Sequence, residues 1–432
     1  MQMKYAIYTL GCKVNQYESE AIAKQLKDRG DSVSFGLVPA DVYILNTCAV
    51  TNEAEHKSRE VIAKMVKLNK DARIYVCGCS SELHPKKFLD RPNIVAVIGT
   101  ENKNKLLEII DSGALGDRCF NINNFNYNDN YSIDGERIRS FIKIQDGCNN
   151  FCSYCIIPYT RGRERSRTIE STINEYERVA KSSKEIVLVG INMAGYGKDL
   201  EGKPTLTDLV NKLAKFSKTR LRFSSFEMGT ISVELLEALK SHPNFCPFFH
   251  LSLQSGADNV LRKMNRHYTF DEYLSCVELI RKYFPNAGIS TDIIVGFPTE
   301  TDEDFNECLE NVKRAKFTDS HIFPFSKREG TVAGSMPIIN GEIIKTRVKR
   351  LEEVTNASKS EFLEFMKGKT EEVLIEEEKD GYLVGFTKNY IKCYIDTKTY
   401  KNPQEITNKY LNSVAQVKLT ETYKLGMKGE LI

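Results

Sequence analysis

From the N-terminus, short apolar runs alternate with longer stretches in which apolar positions recur at helical spacing. The runs at 5–8, 42–45, 73–76 and 95–98 predict strands, and 16–27, 53–68 and 103–110 predict helices between them. Such alternation implies a mostly parallel sheet with helices on both faces. Residues 121–136 break the pattern with a polar, asparagine-rich, aperiodic segment that reads as an interdomain linker.

A second series follows. Strands are predicted at 141–144, 186–189, 221–224, 248–253, 290–295 and 321–325, with helices at 169–180, 233–240, 270–283 and 304–315. Six strands with crossover helices suggest an incomplete (β/α)6 barrel. An amphipathic helix over 341–365 carries Ile344, Val348, Leu351 and Val354 on one stripe. Past Gly368, short strands at 371–376, 382–386, 391–395 and 414–419 have the spacing of a small antiparallel β-barrel of a kind that often binds nucleic acid. The chain is thus read as α/β: an N-terminal parallel domain (1–120), a linker (121–136), a barrel domain with its trailing helix (137–366) and a small β-barrel (367–432).

Composition narrows the function class. A length of 432 residues is ample for several cores, and a net charge of +3 neither marks nor excludes a nucleic-acid partner. The first apolar stretch spans only 5–10, shorter than a secretory core, and no later run reaches membrane-spanning length. The expected setting is therefore the reduced cytoplasm, with no membrane partner. There, clustered cysteines among the twelve present point to metal before disulfide.

The sharpest chemical signal is Cys148, Cys152 and Cys155, a C-x3-C-x2-C run placed just after a predicted strand. Three thiolates hold three irons of a [4Fe–4S] cluster, whose usual complement is four, and leave one iron open to a small chelating ligand. A structural zinc site is the competing reading, but it needs four ligands and no fourth Cys or His lies nearby in sequence. Three further cysteines each follow a predicted strand: Cys12, Cys48 and Cys79. Ligands in open α/β sheets sit at the carboxyl ends of strands, so loops there bring these thiols together despite their wide spacing. Buried inert thiols are the alternative, and composition alone leaves the two readings even. Cys77, two residues before Cys79, shares its face if the segment is extended. Cys119, Cys246, Cys276, Cys308 and Cys393 fall in unrelated places and read as structural.

The words Leu10-Gly11-Cys12, Asn46-Thr47-Cys48, Gly78-Cys79, the Cys148–Cys155 run and Pro158-Tyr159-Thr160-Arg161-Gly162-Arg163 resemble the radical S-adenosylmethionine (SAM) methylthiotransferase family, in order and over essentially the whole chain. The resemblance implies a methylthiotransferase domain with an auxiliary [4Fe–4S] cluster on Cys12, Cys48 and Cys79. It also implies a radical SAM domain with its cluster on Cys148, Cys152 and Cys155, and a C-terminal TRAM domain. SAM would be cleaved to a 5′-deoxyadenosyl radical at the second cluster. The auxiliary cluster would carry a sulfur, methylated by a second SAM, toward the substrate carbon. A radical route suits an aromatic C–H bond, which offers no leaving group for acid–base chemistry. The family's glycine before the third auxiliary ligand favours Cys79 over Cys77.

Around the radical site, SAM contacts are expected from Tyr154, Gly190, Asn192, Glu227, Ser252 and Gln254, which lie beside the cysteines or at the ends of predicted strands. The family usually has glycine where this chain has Thr299, and proline where it has Met228. Arg161, Arg163, Arg165 and Arg167 alternate, so in an extended segment they form one cationic stripe suited to RNA or cofactor phosphate. Lys13 is a further candidate cation. Asn389 and Tyr390, in a word resembling the TRAM pattern, are expected to face RNA; charge over 368–432 is nearly balanced. The histidines show no metal spacing, and His250, in an apolar strand, reads as a satisfied core residue.

The words Gly11-Cys12-Lys13-Val14-Asn15-Gln16 and Gln145-Asp146-Gly147-Cys148 are similar to the MtaB-type branch. That branch methylthiolates C2 of N6-threonylcarbamoyladenosine at position 37, in the anticodon stem-loop of transfer RNA. The implied partners are tRNA and a low-potential electron donor such as flavodoxin or ferredoxin. The rival substrates are N6-isopentenyladenosine-37 and a ribosomal protein. A rival from another class is a non-catalytic RNA-binding protein with structural metal, which requires four complete ligands per site and no SAM binding.

Overall fold

The structure is a computed structural model that describes residues 3–113 except 90 and 92, residues 116–118, 133 and 135, and residues 137–432 except 217. Cys119 and most of the segment 121–136 lie outside the described residues. Of that segment, Ile133 is buried and its N–H donates to Glu175 at 2.7 Å.

The N-terminal strands are β1 (Lys4–Thr9), β2 (Ser32–Phe35), β3 (Val42–Thr47), β4 (Arg73–Gly78), β5 (Ile94–Ile98) and β6 (Gly116–Arg118), in the order β2-β1-β3-β4-β5-β6. Every pairing is parallel. β3 is buried along its whole length, which is why it reads as a continuous apolar run and not an alternating one. β2, with its polar Ser32 and Ser34, was not foreseen, because a short edge strand carries little apolar signal.

The second unit contains β7 (Arg139–Lys143), the small antiparallel pair β8 (Gln145–Asp146) and β9 (Arg165–Ser166), then β10 (Glu185–Val189), β11 (Arg220–Phe223), β12 (Phe248–His250), β13 (Gly288–Val295) and β14 (Asp319–Pro324). β11-β10-β7 and β12-β13-β14 form two three-stranded parallel sheets. Single parallel bridges, Leu221 to Phe245 and Phe226 to Leu251, join them side by side. Six parallel strands thus curve into an open barrel, as expected. Apolar faces of the first two units merge into one core that runs from Tyr5 and Ile7 through Ile142 and Leu188 to Ile293.

The helix Gly341–Met366 then leads to β15 (Thr370–Lys379), β16 (Tyr382–Thr387), β17 (Lys392–Asp396), β18 (Val414–Tyr423) and β19 (Gly426–Leu431). These close a five-stranded barrel in the order β15-β16-β17-β19-β18, in which only the β17–β19 joint is parallel. The small barrel sits under the larger one: Tyr390 packs on Phe248 with ring centroids 4.8 Å apart, and Asn389 donates to the Asn286 carbonyl at 2.9 Å.

Candidate functional site

Cys12, Cys48 and Cys79 follow β1, β3 and β4, three adjacent strands, so their loops emerge side by side. Gly11 and Gly78 both hold positive φ, +96° and +111°, a region that favours glycine. A Cβ on Gly11 would lie 2.8 Å from the Cys48 Sγ, and one on Gly78 would lie 2.5 Å from the Thr47 carbonyl. Asn15 stitches the loops by donating to the carbonyls of Leu10 (2.8 Å) and Thr47 (3.0 Å). Thr47 Oγ1 donates to the Cys77 carbonyl at 2.7 Å.

Burial, together with the neighbouring Cys79 and Cys12 thiols, pushes the Cys48 thiol up to about 12. Cys48 and Cys79 are buried and Cys12 is exposed beside them, with the Arg161 guanidinium close by, a donor set suited to a metal cluster that holds them as thiolates. Cys77 is buried in the strand core beside Lys103 and Glu18. Cys79 instead begins the helix Cys79–Leu83, because the turn at Gly78 ends the strand. Cys77 and Cys79 therefore do not share a face.

Cys148, Cys152 and Cys155 lie on the loop after β8. Burial raises the Cys148 thiol to about 11 and the Cys155 thiol to about 12, and Cys152 adds to both shifts. The loop is pinned by Ser153, whose N–H and hydroxyl donate to the carbonyls of Met264 and Lys263. All three thiols line a cavity of about 330 Å3, together with Tyr154, Ile191, Glu227, Gln254, Arg266 and Asp292. Val50 and Thr51, two and three residues after Cys48, line the same cavity. Ile156, directly after Cys155, packs against Cys79 and Ala49. Arg328, from the barrel domain, donates to the Ala49 carbonyl at 2.9 Å and holds the Cys48 loop against this space.

Of the expected SAM contacts, Tyr154, Glu227 and Gln254 reach the cavity. Ile191 forms the wall between Gly190 and Asn192. The Asn192 amide donates to Glu164 at 2.6 Å, while its Oδ1 is buried without a partner. Ser252 supports the wall: its carbonyl accepts from Arg266 (3.1 Å) and Tyr268 (3.0 Å). Arg266 was missed by sequence reasoning, having no fixed spacing to any cysteine. Its guanidinium donates to Glu227 at 2.5 Å and to Cys152 Sγ at 3.6 Å.

The cationic stripe is not formed. Arg161 ends the helix Ile157–Arg161 and Arg165 opens β9, so the four side chains diverge. Arg161, Arg165 and Arg167 are buried in internal ion pairs, with Glu18 and Asp146, with Asp146, and with Glu175 respectively. Only Arg163 is exposed, its guanidinium 4.5 Å from the Phe151 ring centroid. Asn389 and Tyr390 are likewise corrected: they form the contact between the two barrels and do not face outward. Lys13 keeps solvent access. Partial desolvation in the concave barrel mouth, with Arg222 and Arg139 nearby, lowers its ammonium to about 8. His250 is not a core histidine; it faces the barrel lumen, 3.3 Å from Asp292. Cys77, Cys246, Cys276, Cys308 and Cys393 are all buried.

The "Radical SAM superfamily" model matches residues 142–312, and the model described as "Uncharacterized protein family UPF0004" matches residues 4–99. A threonylcarbamoyladenosine tRNA methylthiotransferase MtaB of Bacillus subtilis is 36% identical over 403 residues, covering 90% of this chain and 89% of that protein. The protein of the same name from Thermotoga maritima is 37% identical over 400 residues, covering 89% and 90%. A tRNA-2-methylthio-N(6)-dimethylallyladenosine synthase of Clostridioides difficile is 34% identical over 447 residues, covering 98% and 90%. Among solved structures, the cobalamin-dependent SAM radical enzyme OxsB shares the fold at a TM-score of 0.52 and 12% identity, covering 82% of this chain and 56% of that one. Among the described residues no helix is long and apolar enough to cross a membrane.

Proposed function

Because the chain belongs to the radical SAM methylthiotransferases that modify tRNA, we propose that it carries two [4Fe–4S] clusters and methylthiolates C2 of N6-threonylcarbamoyladenosine at position 37. One observation carries the reading: the cavity lined by Cys148, Cys152 and Cys155 is also lined by Val50 and Thr51, two and three residues after Cys48. The loop that carries Cys48 thus reaches the space that the radical-site cysteines line, which supports sulfur transfer from an auxiliary site to a carbon activated there. Bound there, the radical-site cluster supplies an open iron for SAM and the electron that cleaves it, and the auxiliary cluster supplies sulfur.

The chain's own residues do the rest. Glu227, Gln254 and Asp292 offer acceptors on the cavity wall, and Arg266 offers donors. Ile156, Ile157, Ile191, Ile294 and Val50 give the same cavity an apolar lining that excludes water from a reactive centre. The substrate branch is supported by the relatives named for threonylcarbamoyladenosine and by the polar lumen beneath the cavity, where His250, Asp292 and His321 converge. A dimethylallyl group would offer the His321 imidazole no hydrogen-bond partner. RNA contact by Arg163 and Lys13, and reduction by a low-potential flavodoxin or ferredoxin, complete the proposal.

The test is anaerobic reconstitution, with iron and sulfide measured and SAM cleavage followed after reduction. It is paired with nucleoside mass spectrometry of tRNA from cells lacking and regaining the gene. Replacing all three of Cys148, Cys152 and Cys155 by alanine should halve the iron and abolish 5′-deoxyadenosine formation. Persistent SAM cleavage overturns the radical-site assignment. Recovery of methylthio-isopentenyladenosine alone overturns the substrate.

A further inference from the structure

Where the cavity meets the lumen, two histidines from neighbouring strands stand beside Asp292, and no individual role has been given to either. His250 on β12, Asp292 on β13 and His321 on β14 each bring one polar atom within 4.8 Å of the others. His250 is already held, with Nε2 3.3 Å from Asp292 Oδ2 and Nδ1 2.9 Å from Ser290 Oγ. His321 is exposed to the lumen, its ring centroid 5.8 Å from that of His250 and 6.4 Å from that of Phe323. Residues two apart on a strand share a face, so His321 and Phe323 point the same way from β14. Phe323 is 45% exposed and lines the cavity that holds the radical-site cysteines. An aromatic ladder thus runs from the cavity wall, at Phe323, down through His321 to His250.

We propose that Phe323 is the platform on which the target adenine stacks, and that His321 reads the carboxylate of the N6 substituent. His321 would then be the residue that sets substrate choice within the family. The inference rests on the substrate reading above and deepens it. The physical case has three parts. An exposed phenyl ring in a cavity wall offers a face to any base, and stacking is tolerant of which base it carries. A substituent on N6 extends from the ring edge, and the ladder continues from Phe323 toward His321. A carboxylate accepts a charge-assisted hydrogen bond from an imidazole N–H, whereas an isopentenyl group would desolvate the imidazole and return nothing.

The test uses the reconstituted enzyme and three anticodon stem-loop RNAs, bearing threonylcarbamoyladenosine, its carboxyl methyl ester, or isopentenyladenosine. For His321→Leu, kcat/KM on the threonylcarbamoyl RNA should fall roughly 10- to 100-fold, the loss expected for one charge-assisted hydrogen bond. On the methyl ester, where the carboxylate is already masked, the same variant should lose no more than about threefold. His321→Asn, which keeps a donor, should recover part of the loss. Phe323→Leu should raise KM on all three RNAs alike, because the platform reads the ring and not its substituent. Equal losses for His321→Leu on the acid and the ester would overturn the proposal. So would substrate selectivity that vanishes with a chelator and returns with zinc, the mark of a metal on His250, Asp292 and His321. Wild-type enzyme that turns over only the isopentenyl RNA would refute the substrate reading itself, a result separable from either of these.

Discussion

Arg161 grips the Glu18 carboxylate with both ends of its guanidinium, Nη1 to Oε1 at 3.0 Å and Nη2 to Oε2 at 3.1 Å. Glu18 lies on the helix that starts after Cys12, and Arg161 lies on the one that starts after Cys155, so the pair ties the two cysteine sites together. Asp146 accepts from the same guanidinium at 3.0 Å, and Lys103, Lys143 and Arg165 complete the cluster. Four cations face two carboxylates here, leaving positive charge beside Cys12 and Cys79, where thiolates would sit.

Arg161→Met should therefore fail as a fold variant and not as an RNA-binding variant. Lys103, Lys143 and Arg165 still face the two carboxylates, but the hydrogen bonds that Arg161 makes to Glu18 and Asp146 are lost in a buried setting, at a cost of about 1–3 kcal/mol. Urea unfolding should show that loss. The exposed Arg163 should behave in the opposite way: Arg163→Ala should change stability by no more than about 0.5 kcal/mol. It should weaken tRNA binding and reduce the salt dependence by about one phosphate contact. Equal destabilisation by both substitutions would contradict the assignment.

The auxiliary triad is predicted to use Cys79 and to dispense with Cys77. Cys77→Ala should keep the full iron content, since its side chain packs in the sheet core, whereas Cys79→Ala should lose the auxiliary share. Gly11→Ala should mimic the second result without touching a thiol, because its new methyl would meet the Cys48 Cβ and Sγ at 2.8 Å. Iron and sulfide analysis of the three variants, each reconstituted anaerobically, decides the matter.

Elements with strong periodicity were legible in sequence: five of the six larger-barrel strands lie within two residues of their predicted ends, as does the helix Gly341–Met366. The second barrel strand after the midpoint was read too long, since 248–253 is regular only over Phe248–His250 before the chain turns into the cavity wall. Cysteine positions were legible because strand ends announce them. What stayed hidden was which partner each charge would find. Alternating arginines look alike in a row, but the helix Ile157–Arg161 sends Arg161 inward to Glu18, 143 residues away. His250 looked apolar because its strand neighbours Phe248 and Phe249 are, yet only the barrel's curvature shows that its face is the lumen. Thr299, where the family usually has glycine, holds a positive φ of +77°, so a β-branched residue takes a conformation that favours glycine and is strained there.

Glu185 gives a pH-resolved test of the barrel floor. It is fully buried and accepts from Arg139 at 2.7 Å and Arg222 at 2.9 Å. Although burial acts to raise its carboxyl, Arg222 and Arg139 outweigh that and lower it to about 2. A depressed carboxylate contributes stability in full above its ordinary value of 4.5 and loses it as pH falls toward the folded value. Glu185→Gln should thus cost about 3–5 kcal/mol, by equal amounts at pH 7 and pH 6. A cost that shrank across that interval in denaturant unfolding would show the carboxyl titrating well above the assigned range.

Arg266 should tune the radical site electrically. Its guanidinium is nearly buried, bound to Glu227 at 2.5 Å, and 3.6 Å from the Cys152 sulfur. A hydrogen bond to a cluster thiolate, and positive charge near it, stabilise the reduced form, which carries one more negative charge. Arg266→Gln keeps a neutral donor and removes the charge, so the cluster should become harder to reduce. The expected change is on the order of 50 mV downward, close to a tenfold shift in a one-electron equilibrium. Glu227→Gln should move the potential the opposite way, because it frees the same guanidinium from its counter-charge. Potentiometric titration followed by electron paramagnetic resonance reads both signs on protein whose iron content is matched to wild type. Were the two variants to shift in the same direction, the Arg266–Glu227 pair would be a scaffold for the Ser252 loop and nothing more.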